Sequence, residues 1–364
     1  MKYGYYEVAG RQYASKLQAI EEATPNGWWP HWNFNEKYFS LVDWSVEPEE
    51  SLSVLYQRRA KEIREQHSRV YLHYSGGSDS WQVAYSFLTA GLKIDRLIYR
   101  SYEFVKDSKT LGAENLNAEG KLSAYPSYKA LLELDPTLKW ETWETGNDMI
   151  KLWANTKLDT TLLNIPQPSI ISRLNLIEHP FNLTDQSTAN IYGIEKPNLY
   201  YENGNFYLFF PDHALNFQCF NENNQNNILF FWDNTPAAID ILKKQVHLVK
   251  KWFLKNPQHI HKIANRKFRD ADWYNRVVAN IVYPDYKLTW QTKKPVRNVK
   301  IETTNWFYQI SPDQPEWKAY QAWRRYVVEQ SERIKIAMKD FPEFQKEEDD
   351  LHVLPTSWSK LYKV

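Results

Sequence analysis

The chain has 364 residues, enough for two domains or for one domain with large insertions. Its 45 Lys and Arg against 44 Asp and Glu leave a formal net charge of +1, which excludes a global field that gathers polyanions and makes any electrostatic role local. The lone cysteine, Cys219, excludes an internal disulfide, a multi-cysteine zinc site and an intramolecular thiol relay.

Residues 1–55 combine Trp28, Trp29, Trp32 and Trp44 with Pro25, Pro30 and Pro48 and carry no sustained period of 2 or 3.6. An irregular extension packed on the core is expected there. No run of 18 apolar residues occurs, and Met1-Lys2-Tyr3-Gly4-Tyr5 does not lead into the apolar run of a secretory signal, so the expected setting is cytoplasmic with no membrane partner. From Glu49 to Gln66 one helix is expected, with Leu52, Leu55, Tyr56 and Ile63 on one face and Arg58, Arg59, Lys61 and Arg64 available for the other.

Val70 to Tyr74 is a β-prone run, Ser75-Gly76-Gly77 a tight turn, and Asp79 to Leu88 has helical spacing that ends at Gly91. Ile94 to Tyr99 reads as the next strand, and strand, helix, strand implies a right-handed parallel crossover. Leu138 to Trp143 and Ala189 to Gly193 are further strand candidates. The fold class is therefore α/β, a parallel-sheet core over residues 56–215. Two apolar runs flanking Glu202-Asn203-Gly204-Asn205 predict a hairpin, because Asn-Gly supplies the positive φ angles of a tight β-turn. Ile239, Leu242, Val246, Val249 and Phe253 predict an amphipathic helix from Pro236. With a second helical stretch from Trp317 to Met338 and an acidic run at Glu347 to Asp350, residues 216–364 are expected to be mainly helical.

A glycine pair between a strand and a helix lets backbone N–H groups approach phosphates with no Cβ in the way. Gly76 and Gly77 stand in that context, Ser75, Ser78 and Ser80 add hydroxyls, and the positive end of the helix dipole favours an anion. Read without the phosphate, the same residues make a tight turn with Ser78 as an ordinary helix N-cap. The sequence Ser75-Gly76-Gly77-Ser78-Asp79-Ser80 resembles the SGGxDS signature of the N-type ATP pyrophosphatases, the PP-loop or adenine nucleotide α-hydrolase-like superfamily; the GxGxxG and Walker patterns are absent. The resemblance covers residues 68–100 closely and extends loosely to about 215.

That resemblance implies a HUP-like, Rossmann-like fold, ATP and Mg²⁺ as cofactors, and a turn that holds the β- and γ-phosphates. It assigns Asp79 to placing Mg²⁺, and Tyr99, Arg100 and Ser101 to lining the adenosine pocket in the crevice used by open parallel sheets. Gly193-Ile194-Glu195-Lys196-Pro197 resembles the glycine-plus-basic segment of several PP-loop families. Lys196 then offsets charge on the α-phosphate; the other reading is an exposed lysine before a hairpin. Asp79, Ser80 and Lys196 are the candidate catalytic residues. Asp212 and His213, ending the hairpin, either reach the site or face water.

In this superfamily sulfur transfer needs catalytic cysteines and the deazaguanine branch a multi-cysteine zinc site, which Cys219 alone does not supply. The resemblance therefore implies an adenylating, pyrophosphate-releasing ligase that forms a C–N bond. Lys2 stands where a glutaminase domain of the asparagine synthetase type has its cysteine, so nitrogen comes from ammonia, an amine or a separate amidotransferase. A phosphoadenylyl-sulfate-reductase-like protein using an external thiol, and a non-catalytic nucleotide binder, stay open. Between Lys243 and Arg269 lie nine Lys or Arg and no acid; this run suits a nucleic-acid partner, tRNA or DNA, or is a solvated helix face beside a small-molecule acceptor, the favoured reading. His259 and His261, without cysteine nearby, read as surface histidines.

Overall fold

The computed structural model describes residues 4–13, 16–101, 120–144, 187–212, 226–264, 271–287 and 357–364. His213, Cys219, the 317–338 stretch and the acidic run at 347–350 lie outside them. Among the described residues no helix is long and apolar enough to cross a membrane.

The N-terminal part is more regular than its sequence suggests. Strands β1 (Tyr5–Val8), β2 (Arg11–Tyr13) and β3 (His31–Asn33) form an antiparallel sheet of order β2-β1-β3, with helix α1 (Lys16–Ala23) between β2 and β3 and α2 (Glu36–Phe39) after it. Strands of three or four residues are too short to display a period, and the β1–β2 turn is made by Ala9 and Gly10, both at positive φ, rather than by Asn-Gly. Two of the four tryptophans, Trp32 and Trp44, are core, whereas Trp28 is exposed and Trp29 half-buried; Tyr6 pairs with Trp32 across the strands, their ring centroids 5.1 Å apart.

Helix α3 (Leu52–Gln66) starts at Ser51, whose hydroxyl accepts from the Val54 amide. It buries Leu52, Leu55, Tyr56 and Ile63 as the spacing predicts. Arg59, read from the sequence as outward, is also buried; it forms ion pairs with Glu62 and Asp233 at 2.7 Å and donates to Thr235 and the Phe230 carbonyl.

The core is a five-stranded parallel sheet built from β4 (Arg69–His73), β5 (Arg96–Ser101), β6 (Trp140–Glu144), β7 (Thr188–Tyr192) and, in chain order after a hairpin, β10 (Asn227–Leu229). Helix α4 (Ser78–Thr89) joins β4 to β5, and α5 (Tyr125–Leu132) precedes β6. The sheet order is β10-β7-β4-β5-β6, so the chain runs outward from β4 through β5 and β6, then returns to β7 and β10 on the other side. Between β4 and β7 the connections diverge, and open α/β sheets bind ligands at such a switch point, outside the carboxyl ends of the strands. The final strand, β10, comes from beyond residue 215 and pairs with β7, so the sheet draws on a region expected to be helical; three residues are too few for a sequence signal.

The hairpin β8 (Asn198–Glu202) and β9 (Asn205–Phe209) turns at Asn203 and Gly204, at φ 50° and 81°. A short β11 (Tyr362–Lys363) adds to β9. Helix α6 (Pro236–Lys255) is capped by Thr235 and buries Leu242, Val246, Val249 and Phe253, and α7 (Ala271–Val282) packs on it.

Candidate functional site

Strand β4 delivers its carboxyl end to the turn Tyr74 to Gly77, and α4 begins at once. Gly77 is the N-cap residue, at φ −71° and ψ 163°, and no side chain caps this helix. The Trp81 amide is the first to bond back, to the Gly77 carbonyl at 2.9 Å. The amides of the first turn thus lack a capping side chain at the positive end of a twelve-residue helix, the arrangement that suits an anion.

Gly76 sits at φ +69°, and a Cβ there would lie 2.2 Å from the Ala124 Cα. Only glycine fits this close approach of the turn to the Gly120–Ala124 π-helical turn. The Gly76 carbonyl accepts from Ser123 Oγ and from the Tyr286 hydroxyl, both at 2.8 Å. The serines work inside the turn. Ser80 Oγ donates to the Gly77 carbonyl at 3.2 Å and lies 3.3 Å from Ser75 Oγ, and Ser75 Oγ accepts from the Gly77 amide. Ser78 and Ser80 are buried.

Lys196 arrives from the far side of the switch point, four residues beyond β7. Its Nζ lies 2.6 Å from Asp79 Oδ2, with the lysine side chain 8% and the aspartate 20% exposed. It is therefore a buried partner of the turn and not an exposed lysine ahead of the hairpin. Gly193 makes this approach possible: a Cβ on it would sit 2.7 Å from the Asp79 carbonyl carbon and the Ser80 amide. The other carboxylate oxygen, Asp79 Oδ1, accepts from the Tyr283 hydroxyl at 2.9 Å, and the Lys196 ammonium stands 5.8 Å from the Tyr283 ring centroid. Burial, followed by the Asp79 charge, pushes the Tyr283 phenol well above its ordinary value.

Tyr99, Arg100 and Ser101 end β5, one strand further out. Tyr99 stacks on Trp140 with centroids 5.3 Å apart, and Ser101 donates to Glu144. Arg100, alternating to the opposite face, lies 5.0 Å over Trp143 and hydrogen-bonds Tyr192. The Tyr192 phenol is pushed up to about 12 by burial against the pull of Arg100, and its ring stacks on His73 at 4.2 Å and 7°. The three residues thus do not share one surface. His73 and Tyr192, both adjoining the turn, were not singled out by sequence.

Asp212 serves elsewhere. It is fully buried, 2.7 Å from Lys16 Nζ, and accepts from the Tyr6 hydroxyl at 2.6 Å, so it ties the N-terminal sheet to the end of β9. Burial lowers the Lys16 pKa although Asp212 pulls it up. Of the basic run, Lys244 and Lys251 both pair with Glu47, Lys250 donates to the Val364 carbonyl and Lys262 lies 4.3 Å over Trp273. His259 stacks on Trp252.

Among the described residues no three His, Cys, Asp or Glu side chains gather as a metal cage. Mg²⁺ rarely needs one, since it keeps waters and is commonly held by one or two carboxylates with substrate phosphates. Asp79, a carboxylate at an amide-lined helix end, fits that pattern, with lone pairs left over from its bonds to Lys196 and Tyr283.

No family model, no curated protein and no solved structure matches the chain.

Proposed function

We propose that the chain binds ATP in the turn Ser75 to Ser80 and cleaves it between the α- and β-phosphates to adenylate an acceptor. The observation that carries this reading is the meeting of Lys196 with Asp79 at the uncapped start of α4, beyond the carboxyl ends of the neighbouring strands β4 and β7. The resemblance of the turn to the N-type ATP pyrophosphatases supplies the reaction type.

The turn amides and the α4 dipole bind the β- and γ-phosphates. Asp79 would hold Mg²⁺, which supplies charge neutralisation between the phosphate oxygens. An acceptor oxygen attacks the α-phosphorus, the bond to the α,β-bridging oxygen breaks, and pyrophosphate departs with that electron pair onto the turn. Lys196 offsets the charge that builds on the α-phosphate, a stabilisation worth most in a site that excludes water. Ammonia or an amine then displaces AMP from the activated carbon and loses a proton, leaving a C–N bond. Tyr99, Arg100 and Ser101 are proposed to border the adenosine beyond the β5 end, Tyr99 and Ser101 from one face of the sheet and Arg100 from the other.

A small-molecule acceptor is the favoured partner. Lys244, Lys250 and Lys251 are engaged within the chain, which leaves fewer charges for nucleic-acid phosphates. The proposed setting is cytoplasmic. Incubation with ATP, Mg²⁺ and candidate acceptors should yield AMP and pyrophosphate. Formation of ADP and phosphate would contradict the reading, and binding without turnover over a broad acceptor set would mark a nucleotide-binding protein instead.

A further inference from the structure

The end of α7 reaches the phosphate turn from 204 positions along the chain. Tyr283 follows its last residue, is 1% exposed, and donates to Asp79 Oδ1. Three residues on, Tyr286 donates to the Gly76 carbonyl. The Tyr283 ring lies beside the same ammonium that holds Asp79 Oδ2.

A carboxylate with one partner retains rotation about its side-chain bonds, whereas one whose two oxygens are bonded in different directions keeps a single orientation. Tyr283 is itself well fixed. Its amide bonds the Ala279 carbonyl at 2.8 Å, its ring packs 5.5 Å from Phe231, and Tyr56 donates to the neighbouring Val282 carbonyl.

We propose, resting on the ATP reading above, that Tyr283 is a positioning residue: its hydroxyl fixes the Asp79 carboxylate and, through it, the Lys196 ammonium at the start of α4. The α7 end thereby becomes part of the reaction site. Rate depends on such orientation when a group acts on charge that develops only in the transition state.

Tyr283→Phe removes the hydroxyl and keeps the ring. Two measurements are needed, one of them independent of nucleotide. In the first, Lys196 is acetylated with an N-hydroxysuccinimide ester and quantified by peptide mass, with exposed Lys61 as internal reference. Lys196 should react about tenfold faster in Tyr283→Phe, the size expected from one hydrogen bond to a charged group, while Lys61 and the circular-dichroism melting curve stay near wild type. In the second, pyrophosphate release by the variant should show kcat lowered about tenfold with the KM for ATP nearly unchanged, the pattern of a contact that matters in the transition state. Equal labelling of Lys196 in the two proteins overturns the positioning role, and so does an unchanged kcat. Absence of ATP binding by the wild type fails the ATP reading instead, and the labelling still decides whether Tyr283 holds Lys196.

Discussion

Two glycines set the geometry of the turn, and they differ in how much the sequence reveals of them. Gly76 is visible as part of SGGxDS. Gly193 looks like any glycine after a strand, and its need becomes clear only when α4 is seen lying 2.7 Å from where its Cβ would be. The obstructing atoms are backbone and cannot swing aside. Gly193→Ala should therefore push the first turn of α4 from β7, costing about 1–3 kcal/mol by overpacking. Urea unfolding measures that loss, and an ATP titration of the variant should show affinity falling with it. Wild-type stability in the variant would mean that the strand end and the helix separate freely. Lys196 was legible as a candidate because a basic residue followed a glycine. Tyr283 and Tyr286 were not, since nothing local marks a tyrosine that bonds a residue more than 200 positions away.

Elements with a long period were legible and short ones were not. Helix α6 shows its apolar stripe over twenty residues, and the strand, turn and helix of β4 and α4 fall within a residue or two of their expected bounds. The three-residue strands β2, β3 and β10 carry no such pattern, and Arg59 became buried because Glu62 and Asp233 converge on it from two elements. Asp95 is a comparable junction. It accepts from the Val70 amide of β4 at 2.9 Å and pairs with Arg64 of α3 at 2.7 Å. Burial opposes its charge, but these partners outweigh it and hold its carboxyl below the usual value. A depressed folded-state pKa contributes stability above the unfolded value, near 4, and that contribution is lost as pH falls through the folded value. Asp95→Asn should lower stability at pH 7 by about 1–3 kcal/mol, since it weakens bonds to a charged acceptor, and the wild-type advantage should shrink below about pH 4. Urea midpoints at pH 7 and pH 3 check this; an equal difference at both would contradict it.

At the scale of the whole molecule, the order of the parallel sheet reverses between β4 and β7, the kind of position at which open α/β sheets take ligands, and both candidate loops leave from those two strands. The surrounding parts are bound to it by buried polar contacts as well as apolar ones. Lys16 of α1 and Tyr6 of β1 both meet Asp212, just beyond the hairpin, and Arg59 joins α3 to the loop after β10. The α/β class and the switch-point strands were readable from the order of apolar runs, while the partners that cross between parts were not. ATP is proposed to bind at the turn between β4 and α4. Gly77 tests it most directly, because its φ of −71° and ψ of 163° are open to a β-branched residue, so Gly77→Val can fold while placing a branched side chain over the turn. Isothermal titration of ATP with Mg²⁺ should show binding by the wild type and its loss in Gly77→Val, with the two melting temperatures close together. Equal ATP affinity in the two proteins, or none in the wild type, would mean that ATP does not bind at this turn.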